Sequence, residues 1–330
     1  MKSLSELPLV TKADKARILA APRTAVAHRD LLESLPAMNA VQTGGAASGS
    51  VLPAELSVVA WNVERGLFPD ENAALLAPFA PDVVLLSEVD HGMARTSQNH
   101  TTADMAEALN MTYAFGVEFL ELDLGGATER AFCTDDYNAR GWHGNAILST
   151  VAFDAVTMIR LDDHGHWFSS DELDADLSQP RVGGRMALAA IVPRQTGAVC
   201  VVSTHLESNA DADHRAGQFD RLMDAIDAFA PGLPVIIGGD LNTGNHLPPD
   251  FDWRNETLFA NAEARDYDWD ATPAGITTRP SLITPHPTRQ MKLDWFALRG
   301  VSFVGKALIP AVAKDGKPLS DHDAIWCCIS

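Results

Sequence analysis

Cysteine, positive charge and long apolar runs are all scarce in this chain, and each scarcity narrows what it can be. The four cysteines (Cys133, Cys200, Cys327 and Cys328) include an adjacent pair and show no paired metal-ligand spacing, so a thiolate metal site is not expected and a reduced, intracellular protein is the simplest reading. No apolar run reaches membrane length, and the opening MKSLSELPLVTKADKARILAA has no continuous apolar segment after its first lysine. Neither a spanning helix nor a secretory signal is expected, which makes the cytoplasm the expected location. Lysine and arginine number 25 against 44 acidic residues, a net charge of −19 that repels a polyanion such as DNA unless a local basic patch overrides it. A bound divalent cation reverses the sign of a carboxylate-rich cleft, so the charge disfavours long nucleic acid without excluding phosphate chemistry. No repeat or low-complexity array is present.

What the chain does have is material for a core: 46% of its 330 residues are hydrophobic. Residues 11–36 carry helix-compatible apolar spacing (Ala16, Leu19, Ala20, then Leu31, Leu32, Leu35), broken at Pro22 and ended near Pro36, so one or two short helices are expected there. The small, Gly-rich stretch MNAVQTGGAASGS reads as a flexible connector, giving an N-terminal helical extension and linker over residues 1–50 and a main domain over 51–330. The N-terminal segment is a candidate dimer arm or cover for a sheet edge. From Leu56 onward short strand-like runs recur: LSVVAWNV, PDVVLLSEV, HGNAILS, RMALAAIV, AVCVVSTHL, LPVIIGGDL, KLDWFAL and HDAIWCCI. Helix-like segments lie between them at 101–110 and 213–229; in the latter, Phe219, Leu222, Met223, Ile226 and Phe229 form an ordinary core-facing stripe. Two packed sheets flanked by helices would cover every apolar face. Two long segments without strand patterning, 162–184 and 243–290, read as loops that shape a cleft.

Polar residues stand at the ends of the apolar runs, where a strand hands over to a loop. Asn62 and Glu64 follow LSVVAW, Glu88 ends DVVLLS, His205 ends VCVVST, Asp240 and Asn242 end VIIGG, Asp294 sits in KLDWFAL, and Asp321 and His322 open the last run. Singly, each is explained by turn chemistry or by a hydrogen-bonded structural histidine. Six strand ends delivering carboxylate, carboxamide or imidazole groups are better explained by one convergent site. Oxygen ligands without thiolates suit Mg²⁺, Mn²⁺ or Ca²⁺, and the absence of an HExxH pattern argues against a zinc hydrolase.

The ordered series WNVERG, LLSEVD, HGNAILS, STHLES, GGDLNT, KLDWFAL and SDHDAI resembles the endonuclease/exonuclease/phosphatase superfamily, the deoxyribonuclease I-like proteins, over roughly residues 55–330. The resemblance implies an α/β fold: a four-layered α/β/β/α sandwich, two packed mixed β-sheets flanked by helices, with the site at one end. It implies metal binding by Glu88 with Asn62, Asp321 and Glu64. It gives Asp240 the attacking water to orient or deprotonate, Asn242 the phosphate or that water to position, and His322, paired with Asp294, a phosphate to contact. His205 stands in a Thr-His-Leu form similar to the deoxyribonuclease I-like, sphingomyelinase-like and inositol-phosphatase-like branches, where apurinic/apyrimidinic endonucleases usually have Tyr. An Asp294 carboxylate beside His322 should raise the pKa of the ring.

Further candidates are Arg185 and Asn145 as substrate contacts. Asn145 belongs to the HGNAIL segment, whose glycine and asparagine are expected to pack close to the cleft floor. Arg181 could meet a phosphate or form a structural ion pair, and Arg279, Arg289 and Lys292 could form a small anion-binding rim. The pair His164 and His166, on an acidic loop, reads as solvated. The expected function is divalent-metal-dependent hydrolysis of a phosphate ester, preferably a diester of a small or lipid-derived compound, by in-line attack of an activated water. A nuclease is the alternative enzyme. A non-catalytic binding protein on the same scaffold is disfavoured because every position of the metal and phosphate set is filled.

Overall fold

Runs such as LSVVAW carry apolar residues at nearly every position, which suits strands buried on both faces. The computed structural model describes residues 2–162, 164–170, 181–286 and 290–330. Its strands are β1 (Lys2–Leu4), β2 (Ala40–Gly45), β3 (Leu56–Arg65), β4 (Val83–His91), β5 (Thr112–Glu121), β6 (Trp142–Ser149), β7 (Ala155–Arg160), β8 (Arg181–Gly183), β9 (Met186–Val192), β10 (Val199–His205), β11 (Val235–Asp240), β12 (Asp294–Arg299), β13 (Phe303–Ile309) and β14 (Ala324–Ile329). One mixed sheet runs β1-β2-β5-β6-β4-β3-β14-β13 with β8 added beside β5; the other runs β12-β11-β10-β9-β7.

Alternation along each strand divides the apolar residues among three cores. Val58 and Ala60 of β3 share the space between the sheets with Leu188, Val201, Ile236 and Phe296. Their neighbours Val59 and Trp61 point outward and pack with Ile18, Leu31 and Met105. These come from helices α1 (Lys12–Ala20), α2 (Ala25–Ser34) and, after α3 (Pro69–Leu76), α4 (Thr101–Leu109). On the far side Cys200, Val202 and Ile237 pack with Phe219, Leu222, Met223 and Ile226. After the one-turn α5 (Ala127–Arg130), these belong to the long α6 (Ala212–Phe229), and the short α7 (Leu258–Glu263) joins the same layer. The result is the four-layered sandwich expected from the sequence. Gly238 marks a close approach of the two sheets, since a Cβ there would lie 2.8 Å from Leu85 Cδ1 and 2.9 Å from Ala60 Cβ.

The N-terminal segment departs from expectation. The stretch read as a flexible connector contains β2, which pairs antiparallel with β5 from Val41↔Gly116 to Gly45↔Thr112, and β1 extends the sheet in parallel beyond it. Alternating Val41 and Gln42 bury against the sheet's two faces, and that burial outweighs the turn-forming composition around Gly44 and Gly45. The two helices expected over 11–36 are present and cover the outer face of this sheet through Ile18, Leu31 and Leu32. Strands β5, β7 and β13 also lie outside the eight runs singled out in the sequence. Among the described residues no helix is long and apolar enough to cross a membrane.

Beneath α4, His91 and His100 stack with ring centroids 3.7 Å apart, enclosed by Phe115, Trp142 and Tyr113. Burial, then the nearby His100 and Arg140, push His91 down to about 2; burial and Arg140 push His100 down to about 3. The unfolded chain binds protons below its ordinary imidazole pKa that the fold refuses, so the pair favours folding above about pH 6.5 and its contribution is lost as the pH falls. Replacing His100 with Phe keeps the stack and removes the titration. Relative to wild type, the variant is expected to be more stable at pH 5 than at pH 7 by roughly 2 kcal/mol, read from urea unfolding at both values. The same difference at both would mean that the ring titrates freely inside the fold.

Candidate active site

Strand register lines up the first half of the site. His205 at the end of β10 pairs with Asp240 at the end of β11, and Asp240 pairs in turn with Asp294 at the start of β12. Neighbouring strands lie about 4.8 Å apart, so three polar side chains stand abreast on one sheet edge. The other sheet supplies its residues through irregularities. The β3–β4 ladder shifts between Asn62 and Arg65, and the β4–β6 ladder between Leu86 and Val89. Glu64, Arg65 and Glu88 take left-handed backbone there (φ 43°, 76° and 56°). Bulges of this kind re-aim side chains, and here they turn carboxylates toward the gap between the sheets.

Asn62 joins the two halves, donating from Nδ2 to Glu88 Oε1 at 3.1 Å and to Asp240 Oδ2 at 3.1 Å, while its Oδ1 accepts from the Glu64 backbone N–H at 3.0 Å. The Ser-Asp-His turn is locked onto β3: Trp61 Nε1 donates to the His322 carbonyl at 2.8 Å and Ser320 Oγ to the Asn62 carbonyl at 2.7 Å. His322 Nδ1 then lies 2.8 Å from Asp294 Oδ2, with its Nε2 3.6 Å from Asp240 Oδ2. Burial opposes a charge on this ring, but the carboxylates of Asp294 and Asp240 outweigh it and hold His322 well above its ordinary pKa. His205 sits on the other side of Asp240, its Nε2 3.6 Å from Oδ2 and its Nδ1 3.4 Å from Glu118 Oε2. Asn242 donates its backbone N–H to Asp240 Oδ1 at 2.9 Å and its Nδ2 to the Leu206 carbonyl at 3.0 Å, fixing the carboxylate's orientation.

The chemistry of the donor set decides whether a metal fits. Glu64 is buried with both Ser281 Oγ (2.6 Å) and Thr284 Oγ1 (2.9 Å) donating to Oε1. Burial and the facing Asp321 carboxylate push it up to about 7 despite those bonds. Glu64, Asp321 and Glu88 are of the residue type that a hard divalent cation takes as oxygen ligands, while the Asn62 carboxamide turns its Nδ2 to Glu88 and its Oδ1 to the Glu64 N–H. Arg65 already provides one cation there, pairing with Glu88 and, at 2.9 Å, with Glu129 Oε1. Asp240, Asp294 and His322 are, among the described residues, the group of acidic or imidazole side chains whose ligand atoms come close enough to share one ion. These two carboxylates and the imidazole form a candidate metal site in their own right.

A cavity of about 420 Å³ opens over these groups, lined by Glu88, His205, Asp240, Asn242, Asp321 and His322. The family model for the endonuclease/exonuclease/phosphatase family matches residues 59–322. The chain belongs to that family. Its fold is similar to an endonuclease/exonuclease/phosphatase from Beutenbergia cavernae (20% identity over 83% of this chain and 71% of that one, TM-score 0.59). It is similar also to the human Nocturnin catalytic domain solved with a sulfate anion (16%, 88% and 96%, TM-score 0.55). A third likeness is to D. rerio TDP2 humanized by 14 mutations (17%, 84% and 99%, TM-score 0.52). No curated protein matches the chain significantly. Members of the endonuclease/exonuclease/phosphatase family are generally hydrolases of phosphoesters that use divalent metals.

The residues singled out in the sequence are not all placed where expected. Asn145 does not line the cavity: it is fully buried, donating from Nδ2 to the Met186 carbonyl at 2.9 Å between the sheets. Its neighbour Gly144 is required by close packing, since a Cβ would fall 1.9 Å from the Gly116 carbonyl oxygen. Arg185 lines the cavity, but its guanidinium is held by Glu118 Oε1 (2.8 Å), Glu207 Oε2 (3.2 Å) and Ser208 Oγ (3.2 Å). It therefore braces His205, whose Nδ1 lies 2.9 Å from Arg185 Nη1. Arg181 faces Glu121 at 3.4 Å, Arg279 pairs with Asp323 at 2.7 Å on the cavity wall, and Arg289 lies outside the described residues. His164 meets Asp162 at 3.2 Å away from the cavity.

The 243–290 loop does shape the cleft, contributing Asn245, Thr278, Thr284 and His286. Sequence reading missed Glu118 and Arg65. Glu118 carries the same signal that marked Glu88 and Asp294, a carboxylate inside an apolar run, here YAFGVEFL. Because the Asp294 carboxylate heads the groups that raise the His322 pKa, Asp294→Asn is expected to lower it by one unit or more. A proton NMR titration of the imidazole measures this, and an unmoved pKa would show that the pairing does not charge the ring.

Proposed function

We propose that this protein is a divalent-metal-dependent phosphodiesterase or phosphatase acting on a small or lipid-derived phosphate ester. The observation that carries the reading is the shared carboxylate: Asp240 Oδ2 is held 3.1 Å from Asn62 Nδ2 and 3.6 Å from the nearer nitrogens of both His205 and His322. Asn62, Glu64, Glu88 and Asp321 would hold Mg²⁺ or Mn²⁺, with Ca²⁺ also compatible, and the bound ion supplies positive charge to the phosphoryl oxygens. Asp240 accepts the proton of the attacking water, its second oxygen fixed by the Asn242 backbone N–H. As the water oxygen bonds to phosphorus, the bond to the leaving oxygen breaks on the opposite side. His322, kept charged by Asp294, donates a hydrogen bond to a phosphoryl oxygen as negative charge grows there. His205, braced by Arg185 and Glu118, offers a second donor. Asn242 positions the phosphate or the water through the edge of its carboxamide.

A small substrate is favoured by the size of the cavity, about 420 Å³, and by a net charge of −19. A nuclease remains the alternative and shares every step above.

Mg²⁺ or Mn²⁺ added to EDTA-treated enzyme is expected to restore hydrolysis of bis(p-nitrophenyl) phosphate. Asp240→Ala and His322→Ala should each lower kcat by roughly 10²–10⁴-fold with an unchanged circular dichroism spectrum. Undiminished turnover in excess EDTA would sink the proposal. Plasmid and single-stranded DNA at low salt test the alternative: cleavage faster than that of the small diester would move the assignment to a nuclease.

A further inference from the structure

The turn that leaves β11 just past Asp240 is tied down residue by residue. Thr243, one residue beyond Asn242, donates from Oγ1 to the Lys292 carbonyl at 2.7 Å and accepts from Trp295 Nε1 at 2.9 Å, which fastens the turn to β12. Lys292 itself, expected on the cleft rim, turns its ammonium to the Trp295 ring in the layer of α6 and α7, 3.9 Å from the centroid. Gly244 takes left-handed backbone (φ 86°), where a Cβ would run into the Phe251 carbonyl, and its N–H donates to Glu256 Oε1 at 2.7 Å.

Glu256 carries the tie into α6. Its Oε1 also accepts from Arg215 Nε at 2.9 Å and Nη2 at 2.5 Å, and both side chains are fully buried. The rest of the guanidinium goes to backbone, Nη1 donating to the Ala210 carbonyl at 2.5 Å and Nη2 to the Asn245 carbonyl at 2.7 Å. Ala210 follows β10, which ends on His205, and Asn245 follows β11, which ends on Asp240. One arginine therefore clamps both loops that leave this half of the site, a task its planar fork suits. Held in this way, Asn245 lines the catalytic cavity beside Asn242 and donates from Nδ2 to Asn242 Oδ1 at 2.9 Å. The Asn242 carboxamide is gripped at both ends, since its Nδ2 gives to the Leu206 carbonyl at 3.0 Å. Turned over, it would set donor against donor at Asn245 and acceptor against acceptor at Leu206, so its second Nδ2 hydrogen stays available to the cavity.

We propose that Asn245 is a positioning residue: it keeps the amide end of Asn242 turned to the phosphate or the water, and the Arg215–Glu256 pair keeps Asn245 within reach. The inference rests on the hydrolysis proposed for this cavity. Asn245 is half-buried and belongs to none of the three apolar cores, so it can be replaced without opening one. A side chain kept for loop packing alone would change stability and leave turnover as it was. One that acts through Asn242 changes turnover only while Asn242 is present.

Steady-state hydrolysis of bis(p-nitrophenyl) phosphate by the full chain with Mn²⁺ separates the two. Asn245→Ala is expected to lower kcat roughly tenfold, with KM within about twofold of wild type and an unchanged circular dichroism spectrum. Asn245→Asp, the same shape with an acceptor facing Asn242 Oδ1, should lower kcat further. In an Asn242→Ala background, Asn245→Ala should change kcat by less than about twofold. The proposal is overturned if Asn245→Ala turns over like wild type, if its effect lies in KM alone, which would make Asn245 a direct substrate contact, or if kcat falls by the same factor with and without Asn242. A wild-type protein that hydrolyses no phosphate ester would count against the proposed function instead. The contact is then judged from the Asn242 side-chain amide signals in NMR, assigned by their absence in Asn242→Ala: a shift in Asn245→Ala supports it, and unmoved signals overturn it.

Discussion

The Asn62 carboxamide is the tie on which the rest of the site depends. Its two donated bonds run to Glu88 on its own sheet and to Asp240 on the facing sheet, so one buried side chain sets the distance between the halves of the cleft. The bond to Asp240 would not form if the sheets stood a side chain further apart, and beneath it Gly238 fits close against Ala60 and Leu85. Apolar burial on three levels presses the layers together without direction, and the hydrogen bonds at the sheet ends give that pressure a geometry.

Many of the charged groups near the cleft are withdrawn from water, which is costly unless each finds a partner. The chain meets this by linking them. Arg95 reaches Asp90, Glu121 and Glu129 at 2.7–2.9 Å, Glu129 passes to Arg65, and Arg65 to Glu88. A second chain runs from Glu207 through Arg185 to Glu118 and His205. Arginine suits both, because its planar fork donates in several directions and stays charged when buried. The two cleft carboxylates with the most different neighbours, Glu64 beside Asp321 and Asp294 beside His322, end up doing opposite things: one repels its neighbour, the other charges it.

Sequence made the fold class and the convergent strand ends legible because both rest on local pattern. LSVVAW and VIIGGD announce strands buried on two faces, and a polar residue at the end of such a run stands out against them. Strand β5 was hidden by Gly116 and two glutamates within TYAFGVEFLE, and β13 by its position at a sheet edge, where only Ile309 is fully buried, both readable only once the neighbouring strand is known. β2 was masked by glycines that elsewhere mark linkers. The commitment of Arg185 to Glu118 and Glu207, the burial of Asn145 under β9, and the turning of Lys292 away from the cleft all depend on partners far along the chain. Residue type gives their capacity; which face of the strand they occupy gives their use.

The left-handed backbone at Glu88 has a consequence for how this scaffold diverges. A β-branched residue is strongly disfavoured at that φ, while Asn, Asp or Gly are tolerated, so the bulge filters replacements by shape before any question of chemistry arises. A descendant that abandoned the carboxylate would gain stability by smoothing the ladder between Leu86 and Val89. Persistence of the kink in a relative's main chain is therefore a record of retained use, readable from a backbone trace before any side chain is assigned.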